Sequence, residues 1–353
     1  ALGPSNPHSD LRQTMKIDIG LFAHNEAEGI VAMLRGLMAQ DIFGDPQMDV
    51  KVLLLANGCS DDTVSLAMAA AGPLVEVVDL TLGGKARTWN RFVHDLSRDD
   101  ADHLVFCDAD IELPERDTLS VIVGRLAARP ELWVFNSRPV KDIALRPEGL
   151  SMMERIIAAA GGGLDDWKTA ICGQLYAMPS ARARRFHLPI GLPVEDGFLR
   201  AMVLTDGLTG AEKPESMARI DGLDGVYHIY GSERRLGALI AHQTRIVIGS
   251  AVNFAVFGYL RDAPATQRRA MLVGASTDAD WLARVLNARL PRFPFGYVPF
   301  HFLFKRLVRA FEQPRGPGHP KRLAMLVLGF GFDFVVYLNA QWKMLRGAGS
   351  GFW

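Results

Sequence analysis

The stretch His103-Leu-Val-Phe-Cys-Asp-Ala-Asp110 decides the fold, because an apolar run ends there in two carboxylates. Such a run is typical of a strand buried on both faces of a parallel sheet. The two-residue period of a strand predicts that Asp108 and Asp110 point to the same side of the chain. Since ligands of open α/β sheets bind beyond the carboxyl ends of the strands, we expect both carboxylates at a ligand site.

Three other apolar runs precede this stretch, at residues 16–23, 50–56 and 75–80. Each is followed by a polar break and then by a segment with helical spacing of its apolar residues, at 29–40, 60–71 and 85–96. Strands that alternate with helices in this way predict a doubly wound, mainly parallel α/β sheet.

Polar residues follow the first three predicted strands and therefore gather at the same edge of the sheet. Asn25 and Glu26 follow the first strand, and Asn57 follows the second. Lys85 comes after two glycines that let the backbone approach an anion, and its ammonium can pair with phosphate. Asn57 can hydrogen-bond a base edge, although turn formation and helix capping are the alternative roles of such residues.

The carboxylates of Asp108 and Asp110 suggest a divalent cation, because hard oxygen ligands suit Mg²⁺ or Mn²⁺. Such an ion usually also takes phosphate oxygens of a substrate, and it neutralises the charge that builds up on a departing diphosphate. The alternative is a solvated turn at the end of a strand, where Asp is common.

A second acidic pair, Glu195 and Asp196, stands at a predicted helix start. A carboxylate there can act as a general base, although helix electrostatics alone also favour acids at this position. Farther along, Gln243 and Arg245 lie on a long predicted helix from which a guanidinium could reach phosphate.

Taken in order, these elements resemble glycosyltransferase family 2, the inverting enzymes with a GT-A fold, over about residues 16–246. The segments that carry the resemblance are Ala23-His-Asn-Glu26, Asn57-Gly-Cys-Ser-Asp-Asp-Thr63, Gly84-Lys-Ala86 with Asn90, Asp108-Ala-Asp110, Glu195-Asp196 and Gln243-Thr-Arg245.

The resemblance implies a role for each matching position. The end of the first strand and Asn57 would contact the nucleobase, and Lys85 and Asp108 would hold the nucleotide. Asp110 would bind the metal ion, Mg²⁺ or Mn²⁺, with Asp108 beside it. Asp196 would be the catalytic base for in-line attack with inversion.

Gln243 and Arg245 resemble the Gln-x-x-Arg-Trp element of processive family members and of ceramide glucosyltransferases, and would serve the donor. Here one residue fewer separates them, and Ile246 stands in place of Trp. This departure disfavours a long polysaccharide product. Glu195 is expected beside the base, at the acceptor side of the site.

Composition narrows the class of protein. With 49% apolar and 22% charged residues the chain is not disordered, and its zero formal charge gives no reason to expect a nucleic-acid partner. The first fourteen residues are polar, without a secretory signal, and are interpreted as a tag remnant or disordered leader. The three cysteines lack metal-type spacing, which fits a reducing compartment.

The last third has a different character from the rest. Residues 284–346 contain eleven Lys or Arg against two acids, among long apolar stretches and several aromatic residues that include Phe293 and Phe295. We expect helices here that lie on an anionic membrane surface, on the cytoplasmic side of the inner membrane, as a peripheral or monotopic protein. A buried helix with a basic, solvated rim is the alternative.

These predictions divide the chain into a leader (1–14), a nucleotide-sugar-binding half (15–135), an acceptor-binding half (136–235) and a helical, membrane-associated region (236–353). The expected activity is inverting, metal-dependent transfer of a sugar from a nucleoside diphosphate, UDP being favoured, to a lipid acceptor. Three alternatives remain open from sequence: a soluble or polysaccharide acceptor, a nucleotidyltransferase, and a membrane-associated scaffold without activity.

Overall fold

A computed structural model describes residues 14–146, 148–151, 154–155, 166–290, 296–305, 307–308 and 319–347. Residues 1–13, nearly all of the predicted leader, lie outside the described residues, as do Phe293 and Phe295. The strands are β1 (Met15–Ala23), β2 (Met48–Asn57), β3 (Val75–Leu80), β4 (His103–Asp108), β5 (Ile111–Glu112), β6 (Val134–Lys141), β7 (Leu175–Pro179) and β8 (Ile220–Tyr230).

These strands form one eight-stranded sheet in the order β3-β2-β1-β4-β7-β6-β8-β5. The first four strands are parallel, as the sequence predicts. The second half is mixed, because β7 runs antiparallel to both β4 and β6. Leu175 at the start of β7 pairs with Cys107 near the end of β4, so the chain enters β7 from the carboxyl end of β4 and must run back.

Helices cover the sheet and continue beyond it. The α-helices described are α1 (Ile30–Met38), α2 (Thr63–Ala70), α3 (Lys85–Arg91), α4 (Thr118–Ala128), α5 (Asp142–Leu145), α6 (Ser180–Ala183), α7 (Glu195–Thr205), α8 (Pro214–Met217), α9 (Leu236–Asp262), α10 (Ala265–Ala275), α11 (Trp281–Arg289) and α12 (His319–Leu345). A π-helical turn, Phe92–Leu96, extends α3, and 3₁₀ turns occupy Asp41–Gly44 and Phe300–Phe304.

Local sequence explains where these helices lie and begin. In α1 the residues Ile30, Met33, Leu34 and Leu37 recur at helical spacing, and all four are buried. The segment predicted to form a helix from Ser60 or Asp61 becomes helical at Thr63, whose N–H donates to Asp61 Oδ1 at 3.1 Å. Asp61 therefore serves the helix start as a side-chain acceptor.

The C-terminal helices pack onto the sheet and onto one another. Phe106 of β4 and Val252 of α9 belong to the same hydrophobic cluster, and α9 contacts both α11 and α12. Within the residues that the structure describes, no helix is both long and apolar enough to cross a membrane.

The topology sets the position of the site. β2 lies on one side of β1 and β4 lies on the other, so the chain order reverses between β1 and β4. Open α/β sheets bind ligands in the crevice at such a reversal, beyond the carboxyl ends of the strands. In this chain the crevice lies where β1 ends at Ala23 and β4 ends at Asp108.

Candidate active site

Asp108 and Asp110 lie at this crevice, although not on one continuous strand as the sequence predicts. β4 ends at Asp108, residues 109 and 110 form a turn, and β5 starts at Ile111. The backbone N–H of Asp108 donates to Gln174 O at 2.8 Å, and the N–H of Ala109 donates to Phe22 O at 2.9 Å. The turn leaves the Asp108 carboxylate mostly buried and the Asp110 carboxylate exposed.

Lys85, predicted to hold phosphate, is bound to protein groups in this structure. Its Nζ donates to Asp108 Oδ2 at 2.7 Å and to Gly173 O at 3.0 Å, and lies 3.4 Å from Glu195 Oε1. Burial opposes the charge on Lys85, but Asp108 and Glu195 outweigh it and raise the pKa of the ammonium above its ordinary value. Lys85 thus joins the acidic residues that follow β4 to those that open α7.

Asp108 is held in a setting that disfavours its charge. Burial raises the pKa of Asp108 to about 7, Asp110 adds to the rise, and Lys85 counteracts it. Because the pKa of Asp108 lies close to neutral pH, any additional positive charge at the crevice would stabilise its ionised form.

The second acidic pair opens α7 beside Lys85. The Asp196 carboxylate accepts the N–H of Gly197 at 2.6 Å. Burial raises the pKa of Asp196 to about 6, with Glu195 adding to the rise while Gly197, Lys85 and Arg245 lower it. A general base works best when its pKa is near the working pH, so Asp196 has the character that proton abstraction requires.

Gly173 allows the segment before β7 to pass close to this base. A Cβ atom placed on Gly173 would lie 3.3 Å from Asp196 Cβ and 3.4 Å from Asp196 Oδ2, a tight contact. The same residue gives its carbonyl to Lys85. The segment at Gly173 therefore contacts both Lys85 and the proposed base.

The residues after β1 form a compact corner with the residues after β2. Asn25 adopts a left-handed backbone conformation, with φ of 57°, and its Oδ1 accepts the N–H of Ser60 at 2.8 Å. The N–H of Glu26 donates to Thr63 Oγ1 at 2.7 Å. Burial raises the pKa of Glu26 to about 6, and the nearby Asp110 adds to the rise. Glu26 therefore lies close to the crevice, on the side of Asp110.

Asn57 is buried and bound to the protein. Its Oδ1 accepts the hydroxyl of Thr88 at 2.9 Å, and its backbone carbonyl lies 2.7 Å from His24 Nδ1. These contacts tie the end of β2 to α3 and to the corner after β1. The predicted contact of Asn57 with a nucleobase is not tested by this geometry.

The glycines before Lys85 have a packing role. Gly58 has a φ of +62°, and a Cβ on it would lie 2.8 Å from both the N and Cα of Gly83. The backbones after β2 and β3 therefore meet without side chains between them. Gly84, with φ of +121°, then turns the chain into α3 and delivers Lys85 to the crevice.

Gln243 and Arg245 do not act from one face of their helix. A helix turns about 100° per residue, so two residues that are two apart point in nearly opposite directions. Thr244 between them is buried and bonded to Asn339 of α12 at 3.1 Å. Arg245 is exposed and close enough to Asp196 to lower its pKa. The structure thus brings Arg245 into the electrostatic surroundings of the site, while the donor contact expected of Gln243 stays a prediction.

Two buried polar residues that support the site carry no sequence signal of their own. The side chain of Asn136 donates to Trp167 O and Ala170 O and accepts the N–H of Cys172, at 3.2, 2.7 and 3.0 Å. It fixes the segment that leads to Gly173. His228 lies 3.1 Å from Gln174 Oε1, and Gln174 in turn accepts the N–H of Asp108. Both depend on contacts between distant parts of the chain.

The donor set of the crevice fits a divalent ion that arrives with a diphosphate. Among the described residues no group of three or more His, Cys, Asp or Glu could hold a metal ion. Mg²⁺ is usually bound by one or two carboxylates together with substrate phosphates and waters, which is what exposed Asp110 and adjacent Asp108 can offer. An all-protein cage is not required for this use.

Comparison with known proteins agrees with this chemistry. The profile described as "Glycosyl transferase family 2" matches residues 18–187. The chain is therefore a glycosyltransferase enzyme. The resemblance argued from sequence over residues 16–246 is confirmed over this range, while a kinship with lipid glucosyltransferases stays a prediction. A comparison with curated proteins finds no match.

Two solved structures are similar to this chain. The mannosyltransferase PcManGT from Pyrobaculum calidifontis, in complex with GDP-Man and Mn²⁺, is 19% identical with a TM-score of 0.52, covering 94% of this chain and 87% of that chain. Glucosyl-3-phosphoglycerate synthase from Mycobacterium tuberculosis, with Mg²⁺ and UDP, is 19% identical with a TM-score of 0.45, covering 72% and 79%. The likeness to the mannosyltransferase shows that the chain has a GT-A-like fold.

Proposed function

We propose that this enzyme transfers a sugar, with inversion, from a nucleoside diphosphate sugar to a hydroxyl group of a lipid acceptor at a membrane surface. The observation that carries the proposal is the position of Lys85, bonded to Asp108 at the end of β4 and close to Glu195 at the start of α7. This contact joins the carboxylates that we propose for the diphosphate to the acidic pair that contains the proposed base.

On the donor side, Asp110 and Asp108 would hold a divalent ion, Mg²⁺ or Mn²⁺, which when bound supplies positive charge to the leaving diphosphate. Lys85 contributes a positive charge next to these carboxylates, and Asp108 and Glu195 keep its ammonium protonated. The Lys85 ammonium, which donates to Asp108 and to Gly173 O, would pair with a phosphate oxygen of the donor. The corner formed by Asn25 and Glu26, with Asn57 behind it, would contact the nucleobase.

The identity of the donor is supported less directly than its class. PcManGT was solved in complex with GDP-Man, so guanosine diphosphate sugars are donors to test beside the UDP-sugars expected from the sequence. We favour a UDP-sugar as the donor.

On the acceptor side, Asp196 would accept the proton of the attacking hydroxyl group. The acceptor oxygen forms a bond to the anomeric carbon while the bond from that carbon to the diphosphate oxygen breaks, and the nucleoside diphosphate leaves with the electron pair. Because attack and departure occur on opposite faces, the anomeric configuration inverts. Glu195 and Arg245 adjust the pKa of Asp196 in opposite directions and so keep it usable near neutral pH.

The lipid nature of the acceptor is supported by the last third of the chain. Its two longest helices, α9 and α12, pack on each other, and α9 also contacts α7, which begins with the acidic pair. Large apolar side chains remain exposed on α12. An acceptor presented at a membrane could thus reach the crevice while the protein stays peripheral, on the cytoplasmic side.

Product analysis with a base variant tests this proposal. UDP-sugars and GDP-mannose are screened by thermal shift with Mn²⁺, since a tight ligand raises the unfolding temperature. The donor found is then incubated with lipid extract, and the anomeric configuration of the product is determined by proton NMR. We expect inversion, and Asp196→Asn should bind donor normally while transfer falls by about 10²–10⁴-fold. Retention of configuration, or normal transfer by the variant, would contradict the mechanism; transfer to a soluble sugar only would contradict the lipid acceptor.

A further inference from the structure

An exposed apolar surface runs along α12. Among the residues of α12 whose side chains the structure describes, seven large apolar ones are more than a third exposed, and Leu328 reaches 71%. At about 100° per residue they fall within an arc of about 120° on the helix. We call this surface the α12 stripe; it consists of Val327, Leu328, Phe334, Val335, Leu338, Trp342 and Leu345.

Residues on both sides of the stripe fix α12 to the protein. Tyr337 and Gln341 are buried; the Tyr337 hydroxyl donates to Val298 O at 3.2 Å, and Gln341 Nε2 donates to the same carbonyl at 3.0 Å. Asn339 donates to Thr244 of α9. These hydrogen bonds fix the rotation of α12 about its own axis. The α12 stripe therefore faces outward and does not pack into the core.

Aromatic and basic side chains extend the stripe. Phe300 is 65% exposed and packs edge-on against Tyr337 and Phe304. The guanidinium of Arg346 lies 4.4 Å from the Trp342 ring. This mixture of apolar surface, an interfacial Trp and flanking cations is characteristic of helices that lie in the headgroup region of a bilayer.

A contiguous exposed apolar surface of this kind marks an interaction site. The charge of the residues around it indicates which kind of partner binds there. Residues 284–346 carry eleven Lys or Arg against two acids. In a symmetric dimer the same patch meets its own copy, so Arg346, which stacks on Trp342 of the stripe, would bring like charges together. An anionic bilayer has the complementary charge, and it attracts basic segments next to its surface. We propose that the α12 stripe and Phe300 dock this protein onto an anionic lipid surface.

Docking by this surface also orients the enzyme, and in this respect the inference rests on the proposed function. α12 bonds through Asn339 to Thr244, the neighbour of Arg245, which lies in the electrostatic surroundings of Asp196. On the same α9, Asn253 donates to Val194 O at 3.0 Å, immediately before Glu195. A single helix therefore lies between the lipid-facing stripe and the acidic pair that opens α7.

Vesicle flotation with charge-matched variants tests the docking. The full chain is mixed, without donor, with vesicles of phosphatidylcholine alone or with phosphatidylglycerol, and the floating fraction is measured. We expect binding to the anionic vesicles and a loss of at least about tenfold in Leu328→Glu/Val335→Glu, because burial of apolar area drives such binding. Met68→Glu/Leu74→Glu adds the same charge at exposed apolar residues outside the stripe and should bind like the wild type.

Several outcomes would overturn the inference: no binding to anionic vesicles, equal loss in both double variants, or a wild-type dimer that Leu328→Glu/Val335→Glu converts to a monomer. The last result would make a second copy of the chain the occupant. Thermal unfolding midpoints confirm that the variants are folded. Because the assay contains no donor, a protein that floats but transfers no sugar would contradict the proposed function and leave the docking surface standing.

Discussion

Gly249→Ala adds a methyl group where α9 passes the residue before the acidic pair. A Cβ on Gly249 would lie 2.2 Å from Val194 Cγ2 and 2.7 Å from Val194 Cβ. Carbon atoms in contact prefer about 3.5–4.0 Å, so α9 and Val194 must separate by roughly 1.3 Å. Asn253, one helical turn farther along α9, is bonded to Val194 O, so the displacement acts on the start of α7.

The expected effect has two parts. Replacing a helical Gly by Ala stabilises a helix by about 1 kcal/mol, whereas overpacking a core costs about 1–3 kcal/mol. Gly258 is the matched control, because it lies on the same helix and a Cβ there meets no atom within 4 Å. The difference between the two Ala variants cancels the helix term and leaves the clash, which should make Gly249→Ala less stable by about 1–3 kcal/mol.

Urea denaturation of both variants measures this difference, and initial rates of transfer measure its consequence. A shift of about 1 Å in a catalytic group can lower the rate about 10²-fold, so we expect a fall of this order in Gly249→Ala and none in Gly258→Ala. Adding Val194→Ala removes the closest methyl group and should recover part of the rate, since Val194 Cβ remains 2.7 Å from the added carbon. Equal stability of the two Gly variants, or full activity in Gly249→Ala, would refute the packing of α9 against Val194 as the support of the acidic pair.

Three further predictions follow from the surroundings of single residues. The transfer rate should rise with pH through a midpoint near 6, because only deprotonated Asp196 accepts a proton, and Arg245→Gln should move the midpoint upward; a flat profile between pH 5 and 7 would exclude Asp196 as the base. Burial lowers the pKa of His228 to about 3, so the unfolded chain binds a proton below pH 6.5 that the native state refuses until pH 3. Unfolding free energy should therefore decrease from pH 6.5 towards 3, and less steeply in His228→Gln; equal slopes in urea titrations would contradict this. Asn136→Ala removes three buried hydrogen bonds and should destabilise the protein by roughly 3 kcal/mol while lowering kcat, whereas a change below about 0.5 kcal/mol would show that the segment before Gly173 is held otherwise.

The parts of the fold that sequence predicts are those that depend on local patterns. The buried runs of β1, β2 and β4 and the helical spacing of α1 require no knowledge of distant contacts. Because the carboxyl ends of parallel strands share one edge, the juxtaposition of Lys85 with Asp108 also follows. The mixed half of the sheet does not, since the direction of β7 is set by where the chain re-enters.

The details of the site depend on long-range contacts that no local pattern records. The side chain of Lys85 is oriented in part by the hydrogen bond that it donates to the carbonyl of Gly173, 88 residues away. The side-chain oxygen of Asn57 accepts a hydrogen bond from the hydroxyl of Thr88, 31 residues away. A backbone carbonyl is the same in every residue, so the sequence does not indicate which one binds Lys85. The sequence also does not distinguish a buried Asn from an Asn in a turn until its hydrogen-bond partner is known. In contrast, the sequence alone predicts that Gln243 and Arg245 point in different directions, because their spacing places them on opposite faces of a helix.

The most direct test of the account is the initial rate of sugar transfer as a function of Mn²⁺ concentration, compared between the wild type and Asp110→Asn. Asp110 is exposed, so this variant should fold normally, and Glu112→Gln, two residues on and also exposed, is the matched control. We expect saturable dependence on Mn²⁺ in the wild type and in Glu112→Gln, and loss of transfer in Asp110→Asn. Unaltered turnover and unaltered Mn²⁺ dependence in Asp110→Asn would contradict the assignment of the carboxylates after β4 to the metal and the diphosphate.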